Sequence, residues 1–327
     1  MRLDWAHGRD SPLDVELDAQ YRALREEAGV LERAERALVA VEGPDAAEFL
    51  QGQVTNESEK LEAGEGRYAA LLDRKGHIQA DMRMLRLGDG EFWIESEAGP
   101  GAVLLKHLSM YKIGREVEVA DRSAEHALVS LLGPRSRELA GAAVLGDEHE
   151  HTRVEIGGAS CLAVATDLGI DLLTSPTDAA AVRAALLDAG AEAVSAEAAE
   201  LARVETGRPR FGREMGPETM PAEAGIVERA VNFEKGCYIG QEPVARLHYR
   251  GRPNRVLRGL KVSAGAEPGE AVANDDRELG AVATVAVSPR LGPIALAVLR
   301  REAEPGDKVK LAGGGEAEVL ELPFADG

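Results

Sequence analysis

Two stretches of the chain echo each other, and the echo limits the folds open to it. LVAVEGPDAAEFL (38–50) and LVSLLGPRSREL (128–139) each pass from a short apolar run through Gly-Pro into a helical pattern. Pro44 and Pro134 suit a first helical position, where the missing N–H costs nothing. Phe49 and Leu139 fall at the same offset from the Gly-Pro. Two copies are too few for a solenoid. The echo therefore predicts two similar strand–turn–helix units within an α+β architecture.

The rest of the chain fits that frame. RYAALLDRKGHIQADMRMLRLGDGEFWIES alternates and breaks at Arg74-Lys75-Gly76 and at Gly88-Asp89-Gly90, which predicts an antiparallel meander. A helix is expected from about Pro100 to Lys112, with Val103, Leu104, His107, Leu108 and Tyr111 on one face. SPTDAAAVRAALLDAG predicts a helix stopped by Gly190, and SAEAAELARVETG one capped by Ser195 and ended by Gly207. From about Arg255, RVLRGLKV, ELGAVATVAV, IALAVLRRE, KVKLA and AEVLEL read as short strands of an all-β module, a small barrel or jelly roll.

Composition narrows the function. At 327 residues with 44% hydrophobic content, two or three domains with a sizeable core are expected. No segment approaches the roughly 20 apolar residues of a membrane span. MRLDWAHGRDSPLD lacks the apolar core of a signal peptide. Two cysteines make no disulfide framework and no metal site, which suggests a reduced, cytoplasmic protein. A net charge of −19 argues against general nucleic-acid binding. Yet Glu200–Lys261 holds twelve Lys/Arg against eight Glu, and Arg246–Lys261 six basic residues and no acid. Such a local basic stretch suits an anionic small molecule.

Four sets of residues carry chemical promise. Strict alternation would put His77, Gln79, Asp81 and Arg83 on one face of a strand, either wet or lining a cavity, and Ile78, Ala80, Met82 and Met84 on the other. Glu205 falls in the last turn of its helix, where a carboxylate opposes the helix dipole and hints at function. A carboxylate can accept paired N–H bonds, as from an amino-pyrimidine edge. Arg208 and Arg210 flank Pro209 and suit carboxylates. Cys237, in VNFEKGCYIGQEPVARLHYRG (231–251), has Lys235 nearby, which favours thiolate. Cys161, in GASCLAVATD, reads as a core thiol.

KGCYIGQEPVAR (235–246) resembles the signature of the YgfZ-type folate-binding proteins, within the superfamily of the glycine-cleavage T-protein. YRALREEAGVLERAERALVAVEGPDAAEFLQGQVTNE, LLDRKGHIQADMRML, RVETGRPRFGREM and LGAVATVAVSPRLGPIALAVLR resemble further segments of it, so the likeness covers nearly the whole chain. It implies a three-lobed, cloverleaf-like arrangement of two α+β folate-binding lobes around a central hole, plus a C-terminal β-barrel. The expected bounds are 1–40 with 115–245 for a split first lobe, 41–114 for the second, and 246–327 for the barrel. Tetrahydrofolate is the implied cofactor. Cys237 and Asp81 are the implied chemical residues, and Glu205, Arg208, Lys235, Tyr238, Gln241, Arg246 and Arg250 the implied folate contacts.

T-proteins carry paired aspartates where this chain has Ala80-Asp81, and they lack the Lys-Gly-Cys-Tyr start. The resemblance therefore implies maturation or repair of iron–sulfur enzymes, with those enzymes as partners. The other reading is a folate-dependent aminomethyltransferase or demethylase. The residues leave open whether the chain is an enzyme at all.

Overall fold

The computed structural model describes residues 12–33, 36–263, 265–274 and 277–324; most of the N-terminal segment read above against a signal peptide lies outside them. The chain runs α1 (Pro12–Glu26), β1 (Gly29–Arg33), β2 (Arg36–Glu42), α2 (Ala46–Gln53), β3 (Gly66–Leu72), β4 (Ile78–Gly88), β5 (Glu91–Glu97), α3 (Ala98–Tyr111) and β6 (Glu118–Asp121). Then come β7 (Ala127–Leu132), α4 (Ser136–Leu139), β8 (His151–Ile156), β9 (Ala159–Ala165), β10 (Gly169–Thr174), α5 (Ala179–Asp188), β11 (Glu192–Ala193), α6 (Ala196–Glu205), α7 (Val227–Ala230) and α8 (Gln241–Arg250). The last six strands are β12 (Arg255–Val262), β13 (Ala271–Asn274), β14 (Arg277–Ser288), β15 (Gly292–Arg300), β16 (Lys308–Leu311) and β17 (Glu316–Leu320).

These elements form an α+β protein with two open sheets and a closed barrel. One sheet has the order β11-β1-β7-β10-β9-β8, the other β3-β4-β5-β2-β6, and the barrel β12-β15-β14-β13-β16-β17. The second sheet spans Arg36–Asp121, wider than the 41–114 expected, because β6 returns to pair with β2. The barrel strands start at Arg255, since 246–250 complete α8. Strand β13 was not legible: four residues leave too little pattern to register.

The echo holds in three dimensions. Gly43 and Gly133 end β2 and β7 with φ of 138° and 114°, and a Cβ on either would strike a neighbouring backbone oxygen. Helices α2 and α4 start two residues after each proline, so the prolines lie in the turn rather than in the helix. Ser195 caps α6 as expected, its hydroxyl accepting from Ala198 N at 3.2 Å.

Helix α5 covers the first sheet through Ala179, Val182 and Leu186. Helices α2 and α3 cover the second through Phe49, Leu50, Leu104 and Leu108. Burying each such large side chain contributes about 1.5–3 kcal/mol. The buried stripe of α3 is narrower than expected: Val103 and Tyr111 are 41% and 47% exposed. Leu85 joins Leu128, Leu162, Val164 and Leu173 in a cluster that packs the two sheets together.

A bulge in the β3–β4 hairpin decides what the second sheet presents. The register shifts between Leu71 and Leu72, whose partners are Ala80 and Ile78, leaving Gln79 as the extra residue. Strict alternation fails there. Ile78 shares a cluster with Ala70, Leu72 and Tyr68, whereas Ala80, Met82 and Met84 pack with Ala69 and Leu71. Asp81 pairs with Ala70 and so shares a face with Ile78, the partner of Leu72.

Candidate functional site

Between the two sheets lies a cavity of about 200 Å³. Strands β3, β4 and β5 supply Tyr68, Asp81, Arg83 and Glu95; the other sheet supplies Arg33 and Asp171. The segments between strands add His149 and Thr166, and those around α6 and α7 add Arg210 and Arg229.

An ion-pair chain braces one wall. Arg83 Nη1 donates to Asp171 Oδ2 at 2.7 Å, and its Nε lies 2.7 Å from Glu95 Oε2. Arg36 pairs with Glu95 and donates to Glu97 at 2.8 Å. Ser130 Oγ donates to the second Asp171 oxygen at 2.5 Å. Burial pushes the Asp171 and Glu95 carboxyls up, but the arginines outweigh it and hold both below the usual carboxylate range. Both stay ionised.

Asp81 behaves oppositely. Burial raises its carboxyl above the usual range, and the Tyr68 hydroxyl, donating to Oδ2 at 2.8 Å, offsets this only in part. Its other oxygen, Oδ1, is shut from solvent without a hydrogen-bond partner. A carboxyl held partly protonated in this way, with one oxygen free, can serve as a proton donor or acceptor to a group placed in the cavity.

Nine buried side-chain polar atoms among the described residues lack a hydrogen-bond partner. Two of them, Arg83 Nε and Glu95 Oε2, answer each other as an ion pair at 2.7 Å; six of the other seven belong to Arg33, Asp81, Arg83, His149 and Thr166, all on the cavity wall. Buried polar atoms are normally paired, so this concentration marks a surface built for a polar ligand. Donors (Arg83), acceptors (Asp81) and groups that do both (His149, Thr166) are present. A ligand whose edge carries both donors and acceptors fits that set. No group of three or more metal-binding side chains occurs among the described residues.

Of the residues singled out in the sequence, Asp81 is on this wall. Glu205 is not. Its carboxylate is 4% exposed and accepts from Tyr21 OH at 3.0 Å to each oxygen and from Ser288 Oγ at 2.5 Å, with Arg290 Nη2 3.6 Å away. It fastens α6 to α1 and to the end of β14. The charge opposing the helix dipole is thus met by these protein partners.

Lys235 is buried, and its ammonium donates to the carbonyls of Val54 and Asn56, each at 2.7 Å. Burial lowers its pKa to about 8. Tyr238 packs in the core with Leu72, Ile78 and Val244, its hydroxyl pushed up to about 12 by burial. Tyr238 and Gln241 line a separate cleft of about 870 Å³ beside α3. Cys237 is exposed and is not on the cavity wall, while Cys161 is fully buried, its thiol pushed up by burial.

Arg246 is exposed and pairs with Glu242 at 2.5 Å, and Arg250 is exposed on the same helix. Arg208 pairs with Asp167 at 2.5 Å and lines a cleft of about 390 Å³, which shares Pro209 and Arg229 with the cavity wall. The wall residues missed in the sequence include Asp171, whose signal was a lone carboxylate inside the otherwise apolar, fully buried strand GIDLLT.

Known proteins share this framework. A family model described as the GCVT N-terminal domain matches residues 7–235, and one described as the glycine cleavage T-protein C-terminal barrel domain matches 255–326. An aminomethyltransferase of Saccharopolyspora erythraea is 30% identical, covering 94% of this chain and 89% of the relative. One of Rubrobacter xylanophilus is 29% identical over 94% and 86%. The solved glycine cleavage system aminomethyltransferase T of Bartonella henselae superposes with a TM-score of 0.84 at 24% identity, over 96% of this chain and 90% of that one, and shares the fold.

Proposed function

The chain belongs to the glycine-cleavage T-protein family, and from that premise we propose that its central cavity binds a reduced folate and serves one-carbon transfer to it. The observation that carries the reading is the convergence of unpaired buried polar atoms on one cavity between the two sheets. Its relatives named aminomethyltransferase favour aminomethyl transfer as the reaction. In this reading the two lobes and the barrel surround the folate in a cloverleaf, as the sequence resemblance implied.

Tetrahydrofolate, when bound, supplies the nitrogens that accept a one-carbon unit. Asp81 would hold or remove a proton through Oδ1, Tyr68 would orient its carboxyl, and Asp171 with Arg83 would keep the wall rigid. The cavity suits a bicyclic headgroup, being smaller than the roughly 300–1,000 Å³ that encloses a whole drug-sized ligand. The tail would pass Arg229 into the neighbouring cleft, where Arg208 and Arg258 could meet carboxylates. Calorimetric titration with tetrahydrofolate, with an aminomethyl-transfer assay, tests this. Absence of binding would refute it.

A second reading has its own support. The signature loop carries an exposed thiol, Cys237, away from the cavity wall, which suits contact with another macromolecule better than chemistry on a folate. That favours a role toward iron–sulfur client enzymes. Folate binding without aminomethyl transfer, together with lost iron–sulfur enzyme activity in a deletion strain that the Cys237→Ser variant fails to restore, would select it.

A further inference from the structure

One residue of the cavity wall sits where its backbone resists. Among the described residues His149 alone, glycines aside, has a positive φ, 73°. Side chains are disfavoured there, and such strain clusters at functional sites. Its residue is 8% exposed, and its ring stacks on Tyr68 with centroids 6.5 Å apart. Neither ring nitrogen has a hydrogen-bond partner: Glu148 Oε1 lies 3.6 Å from Nε2, beyond hydrogen-bond reach, and is engaged by Arg229, while Nδ1 faces no partner at all. Two residues on, His151 is equally buried yet satisfied, with Nδ1 3.1 Å from His149 O and Nε2 3.1 Å from Arg86 O.

The neighbouring backbone leaves room for this placement. A Cβ on Gly66 would come within 2.7 Å of His149 O and 2.9 Å of its Cβ, so a side chain there would displace the histidine. The lone hydrogen bond seen for His149 N, to Ala165 O at 2.8 Å, holds the turn and not the ring. Strain and an unpaired buried imidazole both oppose folding. The stacking on Tyr68 and the distant Glu148 carboxylate leave the ring's hydrogen-bonding capacity unused, and the cavity is where a partner for it can enter.

We propose that His149 is a ligand-contact residue whose neutral imidazole hydrogen-bonds the ring edge of a heterocycle bearing both donors and acceptors. Among the neighbouring unpaired atoms, Arg83 Nη2 can only donate and an ionised Asp81 Oδ1 only accept; a neutral imidazole does one of each. Burial, then Arg83 and Arg229, lowers its pKa to about 3, which keeps it neutral at physiological pH. The inference rests on the folate reading, and the tetrahydropterin ring is such a heterocycle.

The test uses the full chain as wild type, His149→Gly and His149→Asn, titrated with tetrahydrofolate and with a tetrahydropterin lacking the benzoylglutamate tail. Both variants are expected to lose about tenfold or more in affinity, equally for the two ligands. Their Tm should be no lower than wild type, because Gly and Asn accept positive φ and a buried unpaired ring is removed. Unchanged affinity refutes the role. So does a Tm lowered by several degrees, which would make the ring a packing element, and so does a loss confined to the ligand with the tail. A wild type that binds neither ligand refutes the folate reading itself.

Discussion

Replacing Glu205 with alanine separates a structural joint from a ligand contact. The carboxylate accepts two hydroxyl hydrogen bonds, from Tyr21 and Ser288, in a buried setting where neither donor has solvent to turn to. Hydrogen bonds to a charged group are worth about 1.5–3 kcal/mol each, and non-additivity within one network brings the pair to about 2–4 kcal/mol. Arg290, at 3.6 Å with 26% of its side chain exposed, adds little. With an unfolding entropy of about 2.1 cal/mol/K per residue, a chain of 327 residues shifts by about 1.5 °C per kcal/mol, so Tm should fall by about 3–6 °C. Glu205→Gln, which keeps an acceptor oxygen, should fall by less. Differential scanning calorimetry reads the stability and titration with tetrahydrofolate the affinity, which should stay within threefold of wild type below the melting range. An affinity reduced more than tenfold with Tm unchanged would put Glu205 back in the ligand site and refute this placement.

Asp81→Asn should lower one-carbon transfer by about 10²–10⁴-fold while leaving Tm equal or higher. The raised carboxyl favours folding below its unfolded pKa, and that contribution is lost as pH rises through the folded value, so the amide removes a penalty at neutral pH; a lower Tm with full activity would contradict both halves. Lys235 titrates oppositely: its folded pKa is about 8, so between there and the unfolded value near 10.4 the unfolded chain binds more protons and stability rises with pH. Lys235→Met should be less stable overall and should flatten that rise in Tm between pH 8 and 10, and an unflattened slope would show the ammonium is not the source. Native alkylation read by mass spectrometry should modify Cys237 well before Cys161, which is buried with its thiol pushed up; the reverse order would exclude an outward-facing Cys237.

Elements were legible where a local signal suffices. The Gly-Pro turns, the Ser195 cap and five of the barrel strands each depend on a few adjacent residues. The cavity was not, because its wall is assembled from eight or more separate segments. Asp171 and Arg83 come from different sheets and meet at 2.7 Å, and no spacing in the chain encodes that. The hairpin bulge breaks period-two reasoning at Ile78 and Gln79, so alternation placed Asp81 and Arg83 together, as the cavity has them, but put Ile78 on the wrong face. Glu205 shows how far the helix-dipole argument reaches. A carboxylate that breaks the helix-dipole rule needs compensation, but the rule cannot say whether a ligand or a neighbouring domain provides it.

The signature loop poses the same problem more sharply, and its answer lies in the turn after α2. Lys235 holds the carbonyls of Val54 and Asn56. Between them, Thr55 Oγ1 donates to Ala230 O at 2.5 Å and accepts from Ala70 N at 2.8 Å. Asn56 Nδ2 donates to the carbonyls of Tyr68 and Arg229, both at 2.9 Å. Tyr68 and Arg229 wall the cavity, with the guanidinium 4.9 Å from the ring centroid. The lysine of the signature is therefore connected to the wall through one buried polar joint, although it touches no part of it. Polar residues packed this densely in a sequence read as a binding site. Here much of their polarity is spent on tying a loop, a turn and a strand together, and the residues that line the cavity are scattered singly through the rest of the chain.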